Sequence, residues 1–244
     1  MSDRTAYDGG DDPDRRSPAT APILADSESA IARIDREMIK LFALVGEGVA
    51  GATDSLLSGD RETARVLADS DEMVDMLYHE IETLTQRQLV GGSSGREEMR
   101  YLVAVLRMLP ELERSGDLAQ HVASRAVRGL GTEMSHRARG LVERMGELCS
   151  EMWRLTADAY ADRSAEHADE TEELDDDLDH LHVMLTAEIA SGSMSLPVTI
   201  EAALVARFYE RFGDHAVNLT RRIAALVGTS GQLHETYARG EPED

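Results

Sequence analysis

Four pairs of acidic residues, each spaced i, i+4, are the residues of this 244-residue chain best suited to chemistry. Residues four apart lie on the same face of a helix, so each pair would present two carboxylates side by side. Oxygen ligands of this kind suit hard or intermediate cations such as Mg²⁺, Mn²⁺ or Fe. The pairs are Asp71 with Asp75, Glu113 with Asp117, Asp175 with Asp179, and Glu210 with Asp214.

These pairs recur in the same order in the two halves of the chain. Two segments match most closely, ERSGDLA (113–119) and ERFGDHA (210–216), which are identical at five of seven positions. Each segment contains a glycine, Gly116 or Gly213, where the pattern predicts a helix interior. A glycine there costs about 1 kcal/mol relative to alanine. Its recurrence therefore predicts that another helix approaches closely at this point.

The alternative is that the carboxylates form a solvated helix face. The chain has 47 acidic residues, so such pairs arise by chance, and a like-charge pair costs only about 0.2–0.5 kcal/mol. This alternative is strongest for Asp175 with Asp179, which lie in a dense acidic run. For Glu113 with Asp117 and for Glu210 with Asp214, the repetition of the surrounding motif favours metal binding. We expect the later copy to bind better, because Pro110 lies three residues before Glu113 and because His215 adjoins Asp214.

Hydrophobic periodicity predicts six amphipathic helices, each of roughly 25–35 residues and about 40–50 Å long. Short turns separate them, which implies that neighbours are antiparallel. Pro197 opens the sixth helix, which is expected to run to about Val227, since proline fits a first helical turn. The turns are predicted at Ser58–Asp60, Gly91–Gly95, Gly129–Gly131 and Ser191–Ser193.

The fold class is therefore all-α, a tandem of two three-helix bundles related by an internal repeat. Composition agrees: helix-forming residues dominate, aromatic residues make up 4% of the chain, and few prolines interrupt it. The predicted organisation is a disordered acidic tail over 1–27, a first bundle over 28–130, a second over 131–228, and a polar tail over 229–244.

Charge and composition argue against several functions. The net charge of −22 would repel a nucleic-acid backbone, and no apolar run is long enough to insert into a membrane. The N-terminus has no secretory signal, and the single cysteine, Cys149, suits a reducing cytoplasm. No phosphate loop, nucleophile elbow or Ser/His/Asp arrangement is present. The Glu133-x-x-His136 motif of dimetal proteins occurs once, whereas such a site needs two copies. We therefore expect a cytoplasmic binding protein and no enzyme.

Two copies of ERxGDxA, each preceded by a segment of the DEMVD (71–75) or DDDLD (175–179) type, resemble the PhoU family of phosphate transport system regulatory proteins. The resemblance extends from about Ser29 to Val227. It implies a helical-bundle protein, often dimeric, that binds metal through these motifs. It also implies repression of the phosphate-starvation response, together with the ATPase of a phosphate ABC transporter and a phosphate-sensing histidine kinase.

Two other functions remain open at this stage. An accessory domain of an ion-driven phosphate transporter would share the fold, and neighbouring genes would distinguish it. A carboxylate-bridged metal enzyme would need histidine ligands and an enclosed pocket.

Overall fold

The computed structural model describes residues 29–69, 71–92 and 95–239, except for the side chains of residues 71 and 229–239. The disordered tail predicted over 1–27 lies outside these residues. The described chain is all-α, as predicted. Its helices are α1 (Ala30–Ser58), α2 (Arg61–Ala68), α3 (Asp71–Gly91), α4 (Arg96–Val127), α5 (Leu130–Glu133), α6 (His136–Asp162), α7 (Ala168–Ala190) and α8 (Leu196–Arg239).

The helix ends follow from local sequence. Ser29 and Ser135 cap α1 and α6, each accepting a hydrogen bond from a backbone N–H three residues later. Gly59 ends α1 in the left-handed region, with φ of 77°, which glycine adopts at little cost. Asp60 then accepts hydrogen bonds from the backbone N–H groups of the next helix. Ser58–Asp60 thus makes the turn that the sequence predicts.

Four long helices form a central ring in which α1 packs against α4 and α6, and α8 packs against the same two helices. On one side α2 and α3 cover α1 and α4, and on the other α7 covers α6 and α8. Each half therefore contributes two inner helices and one outer layer. The outer helix α3 thus packs on the inner helix α4, and the outer helix α7 packs on the inner helix α8; each outer helix carries one of the acidic pairs.

The hydrophobic core is continuous across the two halves. The indole N–H of buried Trp153 in α6 donates to the backbone carbonyl of Phe42 in α1, at 2.8 Å. The hydroxyls of Thr53 in α1 and Tyr209 in α8 are 2.7 Å apart and buried. Buried hydrogen bonds of this kind fix the relative position of the halves. The bundle boundary near residue 130 stays a prediction, because no break in the core marks it.

Two details differ from the prediction. The second helix is divided at Asp69 into α2 and α3, although no glycine or proline marks the break. The last helix was predicted to end too early, since α8 continues past Gly228 to Arg239. Pro110 lies inside α4, which continues on both sides of it, as the periodicity predicts; proline removes its own N–H from the ladder and crowds the preceding turn. None of the helices in the described chain is long and apolar enough to cross a membrane.

Candidate metal centre

The two repeated glycines lie where an outer helix meets an inner one. A Cβ atom placed on Gly116 of α4 would lie 3.1 Å from Val74 of α3, and one placed on Gly213 of α8 would lie 2.5 Å from Leu178 of α7. Val74 and Leu178 are equivalent residues of the repeat, because each follows its acidic residue, Asp71 or Asp175, by three positions. The close approach predicted from the glycines is therefore confirmed in both halves.

In the second half, the carboxylates of α7 and α8 face one another. Asp175 Oδ1 would be 2.9 Å from a Cβ on Gly213, the residue before Asp214. The pKa of Asp175 is raised to about 6, first by burial and then by the negative charges of nearby carboxylates. In order of effect these are Asp179, Asp214, Asp176 and Glu210. The other three acidic residues predicted for this site thus all lie within electrostatic reach of Asp175.

In the first half, the structure describes three of the four corresponding carboxylates, Asp75, Glu113 and Asp117. Burial raises the pKa of Asp117, and the charge of Asp75 raises it further, while nearby His121 opposes the shift. Glu113 lies close enough to Tyr78 of α3 that its charge helps to raise the pKa of that hydroxyl, after burial and Glu82. The side chain of Asp71, the fourth predicted ligand, lies outside the described residues.

The donors suit a cation in type, but they are not assembled around one. Among the side chains that the structure describes, no group of three His, Cys, Asp or Glu residues converges closely enough to hold a metal ion. Like charges repel, and each carboxylate lowers its energy by turning toward water or a cationic side chain. A bound cation would draw the oxygens of Asp175, Asp179, Glu210 and Asp214 together. The second-half residues therefore fit Mg²⁺, Mn²⁺ or Fe in donor chemistry and in electrostatics.

Two neighbours of these sites are absent from the sequence-based prediction. Arg207 forms an ion pair with Glu210, so that part of the negative charge is already balanced. Its i, i+3 spacing is a signal that the sequence contains. His121 follows Asp117 by four residues on the same helix face, and its ring stacks on Phe208 of α8 at 5.2 Å. The two sites therefore differ in their neighbouring residues. His121 has no histidine counterpart in the second half, since Asn218 occupies the equivalent position.

The side chain of His215, whose adjacency to Asp214 was expected to favour the second site, meets residues of α4. Its side chain is buried where α4 and α8 cross, and its Nδ1 is 3.0 Å from Ser115 Oγ. Its Nε2 is 3.6 Å from a carboxylate oxygen of Glu111, which also lies 3.7 Å from Arg222. Burial lowers the pKa of His215, and Glu111 opposes that shift. His215 therefore links the two repeated motifs inside the core.

The comparisons agree with this repeat of helices and motifs. A family model described as the PhoU domain matches residues 38–126 and 142–223, well over half of the chain. The chain belongs to the PhoU family. The resemblance recognised from the two ERxGD segments is thereby confirmed.

Named relatives and solved structures support the assignment. A phosphate-specific transport system accessory protein PhoU homolog of Rhizobium meliloti is 27% identical over 213 residues, covering 83% of this chain and 87% of the relative. Homolog 1 of Thermotoga maritima is 24% identical over 220 residues, covering 87% and 93%. The crystal structure of PhoU from Pseudomonas aeruginosa has a TM-score of 0.76 at 23% identity, covering 82% of this chain and 98% of that one.

A PhoU structure from Streptococcus pneumoniae, described as a phosphate transport system regulatory protein, has a TM-score of 0.72 at 22% identity. It covers 80% of this chain and 93% of that one. At these identities the structural matches establish the fold alone, and the all-α fold predicted from periodicity is confirmed.

Proposed function

We propose that this chain is a PhoU-type negative regulator of phosphate uptake and of phosphate-starvation signalling. The observation that carries the proposal is the paired ERxGD motif, each copy packed through its glycine onto an acidic outer helix, in a member of the PhoU family. Curated relatives are named phosphate-specific transport system accessory proteins. The role we propose is that of a cytoplasmic helical adaptor, with no catalytic turnover.

The proposed partners are the ATPase of a phosphate ABC transporter and a phosphate-sensing histidine kinase, and the proposed assembly is a homodimer. A rigid adaptor suits such partners because its core is continuous and its halves are joined by buried hydrogen bonds. Asp75 of α3 and Asp179 of α7 are exposed, so a second protein has access to the outer side of each group of carboxylates. Transient signalling contacts commonly use polar surfaces of this kind.

We further propose that divalent or trivalent cations bind at the two carboxylate faces. Asp175, Asp179, Glu210 and Asp214 would hold the ion in the second half, and Asp71, Asp75, Glu113 and Asp117 would hold one in the first. The ion would supply positive charge between an outer and an inner helix. Arg207 would compete with it for Glu210. Asp175 is the main support for the proposed second-half site, because it is partly buried near the other three carboxylates.

Deletion of the gene tests the regulatory role. We expect phosphate-scavenging genes to be expressed in high phosphate in the deletion strain, and expression to be repressed again when the full chain is restored. Restoration with Asp175→Asn and Asp214→Asn should repress less well. The matched control is Glu143→Gln with Glu147→Gln, another i, i+4 acidic pair, on α6 and away from both sites. Unchanged reporter expression and unchanged phosphate uptake after deletion would contradict the proposal.

A further inference from the structure

A groove of about 450 Å³ lies between the first half of α4 and the last described side chains of α8. Its surface combines apolar residues with three cations, Arg100, Arg107 and Arg222. Such a concentration of arginine is unexpected in a chain with a net charge of −22. The apolar part of the lining is Met99, Val103, Ala104, Ala225 and Leu226.

The arginines of this groove are incompletely paired. Nη1 of Arg100 and Nε of Arg222 are buried, and neither has a hydrogen-bond partner within the described part of the chain. The nearest acidic partner of Arg222 is Glu111, at 3.7 Å, and within the same part of the chain Arg107 forms no ion pair. A buried donor left without a partner is unfavourable. The groove is therefore suited to an anionic segment with some apolar side chains.

A second depression, of about 370 Å³, adjoins this groove and shares Leu226 with it. It is lined by Ile31, Tyr101 and Val227, and by two acidic residues, Glu97 and Glu98, together with Arg163. Ile31 belongs to the first turn of α1. Ser29, where the described chain begins, is therefore only two residues from the lining of this depression.

We propose that the N-terminal segment of residues 8–26 docks onto this surface in its own chain. Reading back from α1, the segment presents Asp26, then apolar residues, then a basic pair, then a cluster of aspartates. The surface presents an apolar pocket with acidic residues, followed by the arginine groove. The matching elements of the segment are Ile23 and Leu24, then Arg15 and Arg16, then Asp8, Asp11, Asp12 and Asp14.

Length and concentration permit this contact. The linker from Asp14 to Ser29 reaches up to about 50 Å when extended, at about 3.3–3.6 Å per residue. A tethered segment has an effective concentration in the millimolar range, so even weak affinity keeps it docked for much of the time. Because the contact depends on opposite charges at a surface, high salt weakens it.

A disulfide trap in the full chain tests the proposal. Gly10→Cys places a thiol among the aspartates without removing a charge, and Val103→Cys places one in the groove, where Val103 is 38% exposed. The native Cys149 is fully buried and does not compete. The matched control pairs Gly10→Cys with Val183→Cys on α7, where Val183 is 65% exposed and lies outside the groove.

Under mild oxidation we expect an intramolecular disulfide to form at least fivefold faster with Cys at 103 than at 183. Arg100→Gln with Arg107→Gln should slow it several-fold, as should 1 M NaCl. Replacing the four aspartates by asparagine should have the same effect, and this change cannot disturb the folded core. Equal rates at the two positions, or no response to charge, would overturn the proposal. Covalent dimers as the main product would also overturn it, because the groove would then receive the tail of a second copy.

Discussion

Replacing Gly213 by alanine tests the close contact of α7 with α8 directly. The new Cβ would lie 2.5 Å from Leu178 Cδ2, 2.9 Å from Asp175 Oδ1 and 3.4 Å from Met152 Cε. The side chain of Leu178 is fully buried, so it has little room to move. Overpacking of this kind costs about 1–3 kcal/mol. Alanine also recovers about 1 kcal/mol of helix propensity, which offsets part of that cost.

The matched control is Gly140→Ala in α6, where a Cβ would meet nothing within 4 Å. That variant gains only the stability that comes from the higher helix propensity of alanine, about 1 kcal/mol. The difference between the two variants therefore isolates the overlap, and we expect Gly140→Ala to be more stable by about 1–3 kcal/mol. For a chain of this size, 1 kcal/mol shifts Tm by about 2–4 °C.

The measurement is equilibrium unfolding in denaturant, followed by the fluorescence of Trp153, the single tryptophan. Its ring centroid lies 4.8 Å from that of Phe212, next to the substituted position, so the signal reports on the relevant helix. A thermal melt gives the independent Tm. If Gly213→Ala proves as stable as Gly140→Ala, then α7 does not pack on Gly213 as described, and the reason given for the repeated glycine is wrong.

Two further predictions concern the carboxylates. The pKa of Asp175 is raised from 3.8 to about 6, so the folded state binds the proton more tightly, and the free energy of unfolding falls as pH rises through this range. Asp175→Asn should therefore stabilise the metal-free protein by about 1–2 kcal/mol at pH 8, after allowance for solvent screening, and by almost nothing below pH 4. An equal gain in stability at both pH values would refute this. Cations should raise Tm, and the second-half site should contribute more to this effect than the first-half site. The expected stabilisation is up to about 2.7 kcal/mol at a hundredfold excess of cation over Kd. Glu210→Gln with Asp214→Asn should remove more of this gain than Glu113→Gln with Asp117→Asn, while the control, Glu143→Gln with Glu147→Gln, should remove none. The measurement is a series of thermal melts with Mg²⁺, Mn²⁺ or Fe²⁺ against a chelator, at fixed ionic strength. An unchanged metal response in both site variants would identify the carboxylates as a solvated face.

The sequence predicted the long helices and the repeat because both depend on local or periodic signals. Apolar residues at spacings of three and four determine each buried face, and Ser29, Gly59 and Asp60 determine where helices begin and end. The recurrence of glycine before Asp117 and Asp214 was sufficient to predict a close helix contact in both halves.

Other features depend on contacts that no local pattern records. The break after α2 has no glycine or proline, and α8 passes through Gly228, which would ordinarily end a helix. The contacts of His215 were not predicted, because adjacency to Asp214 in sequence puts it on a different helix face, about 100° away. That face is the one that α4 covers, where Ser115 and Glu111 meet the imidazole.

The buried contact between Ser115 and His215 has a consequence for how such a repeat can evolve. In the repeat, Ser115 corresponds to Phe212 and His215 to Leu118, and all four side chains are buried. Two identical, unlinked copies related by a two-fold axis would have to carry the same residues at both ends of this contact. A single chain containing both copies is free of that requirement, so Ser115 and His215 form a polar pair whereas their equivalents, Phe212 and Leu118, are apolar. Fusion thus permits the two copies to differ at this buried contact, and the two proposed metal sites can diverge while the shared scaffold remains intact.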